Sequence, residues 1–510
     1  MPDSLETQDR IGPTMTESHF VLSIAEILLE ILEYLSVKEL GVAASVCKAW
    51  LGPAVDTRWR VQKIRLSRLL AKLAPVKKSQ LDHTILAPKA HITQDQWSRF
   101  LEQYANRVTR LVYDAKSDQT SIKLISTLLE RLGGQFGSNI TSLTWSYATC
   151  KLIGLLHGTK LQEVNLPPNR NAFPIETLTL PQLAHQAPQI SKLDTNGIPS
   201  SFDFSVFSQL RSLSHDGRLS TSDYHNLTHF THLQDLNLGY TEMQVTSEKE
   251  IDEVGTNFPR LEKLRLYCVN EQAENVIQRS AMPVLRFLLL RRLDTIGEFT
   301  LSLLNSILRT SPLLETISFK AAIPPSILKL VQHDGVRILT FDNSYRLRSE
   351  SKTRNPLDLS IIGRAFPKLE RLCIISGRDD SPCGFRTSWH LDALSVVAGH
   401  FHNLQRLVLS LYVPISSLST TPKETTALLS LTDLQFYVLY IALADIDPFV
   451  SYLARLCPNI LNIVVGILRE LSRDREDARL GDGAAFVRRF FDYKDGLKGL
   501  RVSDPFEESR

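Results

Sequence analysis

Residues 259–266 read Pro-Arg-Leu-Glu-Lys-Leu-Arg-Leu. In a strand, whose side chains alternate between faces, this spacing puts Leu264 and Leu266 on one side and Lys263 and Arg265 on the other. The proline two places ahead of Leu261 ends any preceding helix and sets a turn into the strand. The pattern is an apolar residue, two variable ones, an apolar residue, one variable, then an apolar residue. It returns at Val108-Leu111-Tyr113, Ile140-Leu143-Trp145, Leu161-Val164-Leu166 and, more weakly, Ile190-Leu193 and Leu210-Leu213. It continues at Leu233-Leu236-Leu238, Leu285-Leu288-Leu290, Leu314-Ile317-Phe319 and Val336-Leu339-Phe341. The last set is Leu369-Leu372-Ile374, Leu404-Leu407-Leu409, Leu431-Leu434-Phe436 and Ile460-Ile463-Val465. Starts lie 20 to 35 residues apart, and Pro188, Pro283, Pro312, Pro367 and Pro458 hold the same place as Pro259. Glu274–Arg279, Leu301–Leu308 and Asp392–Ala398 have helical spacing in the gaps. A single strand-plus-helix unit cannot cover its own apolar face, so neighbours must stack.

This pattern resembles leucine-rich repeats. The resemblance implies an α/β solenoid over residues 108–470, with a parallel sheet on the concave side and helices outside. The family's Asn or Cys five residues after the second Leu is nearly absent. Asn169 matches, whereas Val269, Leu293, Gly377 and Tyr412 stand at other such places. The repeats are therefore irregular. The competing reading is a βα-alternating chain without true repeats, even a barrel. The variable spacing and the count of fourteen strand patterns argue against a (β/α)₈ barrel.

Upstream, residues 20–60 read FVLSIAEILLEILEYLSVKELGVAASVCKAWLGPAVDTRWR. Ser23 with Glu26, and Ser36 with Glu39, have the spacing of capping boxes. Leu22 with Ile27, and Leu35 with Leu40, have that of hydrophobic staples. Two short helices follow. The first carries Ile24, Ile27, Leu28, Ile31, Leu32 and Leu35 on one wide stripe, and the second offers Leu40, Ala43, Ala44, Cys47 and Trp50. So small a segment cannot bury this surface alone.

The order Leu22, Ile27-Leu28, Ile31, Leu35, Leu40, Val46-Cys47-Lys48-Ala49-Trp50 and Trp59-Arg60 resembles an F-box, over residues 19–62. The Val-Cys-x-x-Trp core and the tail from Pro53 to Arg60 are similar to fungal F-box proteins. The departure is Ser23, where the family usually has Pro. The F-box is the helical hairpin by which substrate receptors dock on the small adaptor of SCF-type (cullin–RING) ubiquitin ligases. The resemblance therefore implies a non-catalytic recruiting subunit. Its partners would be the adaptor, through it a cullin, and a target protein that the sequence does not identify. The implied adaptor contacts are Leu22, Ile27, Leu28, Ile31, Leu35, Leu40, Val46, Cys47 and Trp50, some of them serving the hairpin's own packing instead. The alternative is a leucine-rich-repeat scaffold outside ubiquitination, with the hairpin as an N-terminal cap. Exposure of Leu28 and Leu32 separates the two readings.

The bulk numbers fit this division. At 510 residues the chain is long enough for several domains or an array, and 43% hydrophobic with 22% charged residues is ordinary for a globular protein. A net charge of +3 is small for this size and argues neither for nor against nucleic acid, and no nucleic-acid partner is expected. Residues 1–18 are polar and expected to be disordered, without the apolar core of a signal peptide. The longest apolar run, Phe436–Ala444, is far short of the roughly 20 residues a membrane span needs. A cytoplasmic or nuclear location is expected, and no membrane partner. The six scattered cysteines suit buried thiols in a reducing compartment. Residues 63–107, basic at first (Lys63, Arg65, Arg68, Lys72, Lys77, Lys78), are expected to form a helical linker. Residues 471–510 are expected to supply a C-terminal cap or tail.

No zinc spacing, P-loop or dinucleotide fingerprint is present, so no cofactor, metal ligand or catalytic residue is expected. His225, His229 and His232 share a helical spacing without accompanying cysteines or carboxylates. Cys373 and Cys383 have no local histidine base. For the target, the residues between the strand leucines matter, above all Lys263, Arg265, Arg371 and Arg406. Excursions at 342–365, 376–402 and 411–429 add a candidate anchor, Trp389.

Overall fold

The computed structural model describes residues 25–73, 77–78, 84–85, 92–113, 139–145, 160–166, 183–185, 187–196, 204–216, 219–220, 224, 226–227, 229–240, 243–244, 257–267, 271–291, 298–320, 331–343, 359–376, 389–413, 427–441 and 445–470. Leu22, Ser23, Asn169, His225, Cys383 and the segment expected to cap the C-terminal end lie outside them. The chain divides into two compact units, residues 1–198 with 206–209, and residues 199–205 with 210–510.

The first unit begins with three helices: α1 (Ala25–Glu33), α2 (Val37–Ala43) and α3 (Lys48–Val61). The capping box at Ser36 is formed: Ser36 Oγ accepts from the Glu39 N–H at 3.3 Å, and Glu39 Oε2 accepts from the Ser36 N–H at 2.7 Å. Hydrogen bonding of its carboxyl by Ser36, by the side chain foremost and then by the backbone N–H, holds Glu39 below its ordinary range. The single second helix expected from the sequence is two. Ser45 is the reason: its hydroxyl donates to the Val42 carbonyl at 2.7 Å, and the Ser45 N–H bonds that same carbonyl at 2.9 Å. A local side-chain bond of this kind competes with the helix ladder. Cys47 then starts α3 in extended conformation.

The helices lead straight into a parallel sheet: β1 (Ile64–Arg65), β2 (Arg110–Tyr113), β3 (Ser142–Trp145), β4 (Glu163–Asn165) and β5 (Lys192–Asn196). Its register aligns Ile64, Leu111, Leu143, Val164 and Leu193 in one column. Every one of them is at most 2% exposed. The strand β1 precedes the first leucine pattern, in a region expected to be helical. Helices α4 (Leu66–Leu70) and α5 (Gln94–Gln103) do follow it there.

Among the described residues, ten strands of the second unit form a continuous parallel run: β6 (Ser212–Asp216), β7 (Asp235–Tyr240), β8 (Lys263–Tyr267), β9 (Phe287–Arg291), β10 (Thr316–Lys320), β11 (Ile338–Asn343), β12 (Arg371–Ser376), β13 (Arg406–Val413), β14 (Asp433–Ile441) and β15 (Asn462–Glu470). In chain order each pairs with the next, so Leu236, Leu264, Leu288, Ile317, Leu339 and Leu372 again form one buried column. In neither unit does the last strand of the run pair with the first, which sets aside the barrel. All fourteen sequence patterns are strands, and within each unit they form an open parallel array.

Two regularities of the turns were not foreseen. Three residues before the first leucine of a pattern stands another buried row, including Phe230, Phe258, Met282, Phe366 and Phe401. The carbonyls of Met282 and Phe366 accept the N–H of Leu285 and Leu369 at 3.1 and 3.2 Å, closing the turn into each strand. Ser311 and His333 hold the same places in adjacent repeats. There His333 Nδ1 accepts the Gly335 N–H at 3.1 Å, so Nε2 carries the proton and donates to the Ser311 carbonyl at 3.0 Å. The second row lies immediately before the first leucine. Asn139, Asn403 and Asn459 donate to the carbonyls of Asn106, Pro367 and Leu429 at 2.7, 3.3 and 2.7 Å, and Ser430 donates to His402 at 2.7 Å. Each bond ties a turn to the preceding repeat. The ladder whose asparagines are missing after the strand is thus partly built before it.

On the connecting side, α6 (Glu271–Gln278) packs on α7 (Glu298–Thr310), and α8 (Leu359–Ala365) on α9 (Asp392–His400). A tenth helix, Ile446–Leu456, precedes β15. The contact of α8 with α9 is close: a Cβ at Gly363 would lie 2.6 Å from His400 Cβ, whereas one at Gly399 would meet nothing within 4 Å. Alanine gains up to about 1 kcal/mol over glycine inside a helix, but overpacking costs about 1–3 kcal/mol. Gly363→Ala should therefore lower the melting temperature followed by circular dichroism, and Gly399→Ala should hold or raise it. Equal shifts would refute the close packing.

Candidate functional site

The hairpin has its own small core. Leu28, Leu32, Leu40, Ala43 and Ala54 are buried against one another, with Leu35, Ala44 and Trp50 packed on them. Burial of Leu28 and Leu32 was expected to mark a cap on the solenoid. They are buried inside the hairpin instead, so their exposure does not separate the two readings.

Of the implied adaptor contacts, Leu28 and Leu40 are thus committed to the hairpin itself. Ile27, Leu35 and Trp50 are half-buried. Ile31, Val46 and Cys47 face solvent, with Ile31 37% and Val46 60% exposed. Three further apolar residues are exposed that the sequence reading passed over: Tyr34 at 85%, Val42 at 63% and Leu51 at 50%. A signal for Val42 was present. In the short helix VKELGVA, turning Leu40 and Ala43 inward leaves Val42 nowhere to go but out. The described residues include nine exposed large hydrophobics, and five of them fall within residues 31–51.

This surface is anchored. Arg60 pairs with Glu33, joining α3 to α1. Asp56 pairs with Arg107 at 2.8 Å, and the rings of Trp59 and Tyr104 meet edge-on at 5.4 Å. Thr109, just before β2, donates its hydroxyl to the Arg60 carbonyl at 2.6 Å. The ion pairs are half-exposed and individually weak. Together with β1, which continues from α3, they hold the hairpin to the first strands.

The second candidate surface is the open face of the second unit's strands. Lys263 and Arg265 share β8, and Arg371 and Arg406 stand directly opposite one another on β12 and β13. Arg265 is not free: it holds Asp235 through bonds of 2.9 and 3.1 Å. Arg406 reaches the Gln435 side-chain oxygen at 3.5 Å. The backbone of Trp389 pairs with Leu411, beyond the stretch of β13 that pairs with β12, so it is not brought together with the four cations in register. Its side chain is outside the described residues. Cys373 lies opposite Val408 on this face, and burial pushes its thiol up to about 11. Of the histidines, His232 accepts a hydrogen bond at Nδ1 from Arg260 Nη1 at 3.2 Å, both in the row of turn residues. Among the described residues no group of three His, Cys, Asp or Glu is placed to hold a metal ion. No helix among them is long and apolar enough to cross a membrane.

Comparison with known proteins agrees with this geometry at one point. Residues 25–64 match the F-box-like family, so the chain carries an F-box-like segment ahead of its leucine-rich-repeat solenoid. The solved structures it resembles include a leucine-rich-repeat protein of Leptospira interrogans (15% identity, 66% of this chain and 80% of that one, TM-score 0.36). Others are an internalin of Listeria monocytogenes (13%, 69% and 89%, TM-score 0.30) and a Bacteroides fragilis protein (10%, 71% and 76%, TM-score 0.29). At these scores the fold stands on the strand ladder alone. No curated protein matches the chain.

The thiols offer a check on the two surfaces. In iodoacetamide labelling read by peptide mass spectrometry, exposed Cys47 should react well before Cys373, whose thiol stays protonated at neutral pH, and before buried Cys457. Earlier labelling of Cys457 would refute the burial assigned here.

Proposed function

We propose that this chain is the substrate-recruiting subunit of an SCF-type ubiquitin ligase. In this reading the hairpin docks the small adaptor and, through it, the cullin, while the solenoid holds a target protein. The observation that carries it is the exposed apolar surface of the hairpin. A segment that has already closed a core of its own still presents Ile31, Tyr34, Val42, Val46 and Leu51 to solvent. Isolated exposed hydrophobics are ordinary, but such concentration in one short segment marks an interaction site. A mere cap would place this surface under the solenoid.

The chain contributes orientation rather than bond-making groups. Rates rise because a target lysine is held near the charged transfer enzyme, as positioned groups react faster than freely diffusing ones. The hairpin's attachment to β1 and β2 serves that role, since a loose tether would lose the fixed distance.

The test separates surface from core. Co-expressed with the adaptor, the chain carrying Ile31→Asp and Val46→Asp should lose at least about tenfold in co-purified adaptor, because both side chains sit outside the hairpin core. Its thermal melting should stay unchanged. In the unmodified chain, bound adaptor should also slow alkylation of Cys47. Full adaptor binding by the double variant would overturn the reading.

A further inference from the structure

The open face of the second unit has an uncharged centre. Three adjacent strands place Phe287, Thr316 and Ile338 side by side, and Leu289, Ser318 and Thr340 beside them in the next row. Cations bracket these two rows. Lys263 and Arg265 stand opposite Phe287 and Leu289 on one side. Arg371 stands opposite Ile338 on the other, with Arg406 beyond it. One residue pair further along, Arg291 faces Lys320.

Carboxylates are present, yet engaged. Asp235 is held by Arg265, and Asp433 accepts from Thr432 at 2.7 Å and Asn462 at 3.4 Å. Asp342 lies past the two rows, opposite Ile375. Lys263, Lys320 and Arg371 form no ion pair among the described residues. Aromatic faces back two of the other cations: Arg265 sits 5.9 Å from the Phe287 ring and Arg291 5.2 Å from that of Tyr267.

The spacing defines a ligand. Lys263 and Arg371 are four strands apart, roughly 19 Å at about 4.8 Å per strand. An extended chain covers that span in about six residues. We propose that this panel takes an extended segment of the target protein that has an apolar centre and an acidic side chain at each end, about six residues apart. The inference rests on the recruiting role and names the target's chemistry. The apolar centre supplies most of the affinity, because exposed charge pairs contribute only about 0.2–1 kcal/mol each. The cations fix where the segment's ends lie and reject basic sequences. A nucleic acid fits less well. Its phosphates ask for a continuous cationic track with stacking platforms, and here the cations flank a charge-free panel.

The experiment selects binders of the full-length chain from a displayed library of random dodecapeptides. Enriched peptides should carry Asp or Glu five to seven residues apart around an apolar stretch. The variant Lys263→Glu, Arg371→Glu, Arg406→Glu should bind a selected peptide at least about tenfold more weakly. The neutral variant with Gln at the same three exposed positions should fall between them, which covers the case of misfolding by charge reversal. A library without acidic pairs, an unchanged affinity in both variants, or full competition by single-stranded oligothymidylate would overturn the inference. Adaptor co-purification reads the hairpin separately. If it survives in the triple variant while peptide selection fails, the acidic segment is wrong and the recruiting role stands. If the hairpin substitutions leave adaptor binding intact, the recruiting role falls whatever the library shows.

Discussion

The parallel register that places Leu264 between Leu236 and Leu288 is the constraint on which the second unit depends. Each strand buries its two leucines only because neighbouring strands bury theirs at the same height. A strand's side-chain period is two, so a one-residue slip would turn Leu264 and Leu266 to solvent and Lys263 and Arg265 inward. That penalty acts at every interface between repeats. It explains why the repeats tolerate variable connections: the register is set within the strand and in the turn before it, and the rest of each repeat is free to differ in length.

The turn contributes more than a change of direction. Its buried row of phenylalanines, with Met282, extends the core past the leucine pattern, while Asn403, Ser430 and Asn459 bond carbonyls of the repeat before. One residue past the first leucine, charges alternate in successive repeats as Glu262, Arg286, Glu315, Arg337 and Glu370, with pairs at 3.5 Å between Arg286 and Glu315 and 3.3 Å between Arg337 and Glu370. Such pairs are half-exposed and modest in energy, but neighbouring strands favour opposite charges over like ones. Apolar burial, side-chain bonds and charge therefore agree on a single stacking order.

Much of this was legible in the sequence. All fourteen leucine patterns are strands, because alternation in a buried strand leaves a strong periodic signal. The strand β1 was not legible: two residues, Ile64 and Arg65, carry no period, and only pairing with Leu111 and Val112 makes them a strand. The break at Ser45 was missed because apolar spacing continues across it, while the hydroxyl that ends the helix competes for a carbonyl locally. The hairpin list was half resolved for a related reason. A wide stripe shows which residues avoid water, but not whether a neighbouring helix or a partner covers them. Leu28 and Leu40 turned to the neighbouring helices, whereas Ile31 and Val46 did not. On the solenoid, alternation correctly assigned Lys263, Arg265, Arg371 and Arg406 to one face, yet only the register reveals that Arg371 and Arg406 are neighbours with Lys263 four strands away.

The two surfaces differ in a way that follows from how each is built. The hairpin closes its core with five residues and still leaves Ile31, Tyr34, Val42, Val46 and Leu51 exposed, an aliphatic and aromatic surface of fixed shape. The solenoid closes its core with one face of every strand. The opposite face is packed less, with Leu289 and Val408 buried on it, and its exposed residues can vary repeat by repeat at little cost to the fold. Charge can be placed there singly, as at Lys263 and Arg371, or cancelled, as at Arg265 with Asp235. A surface whose charges are set one strand at a time, about 4.8 Å apart, can measure the separation of groups on an extended chain. A helical hairpin of this size cannot do so. On the proposed recruiting role, constant docking would belong to the hairpin and selectivity to the sheet.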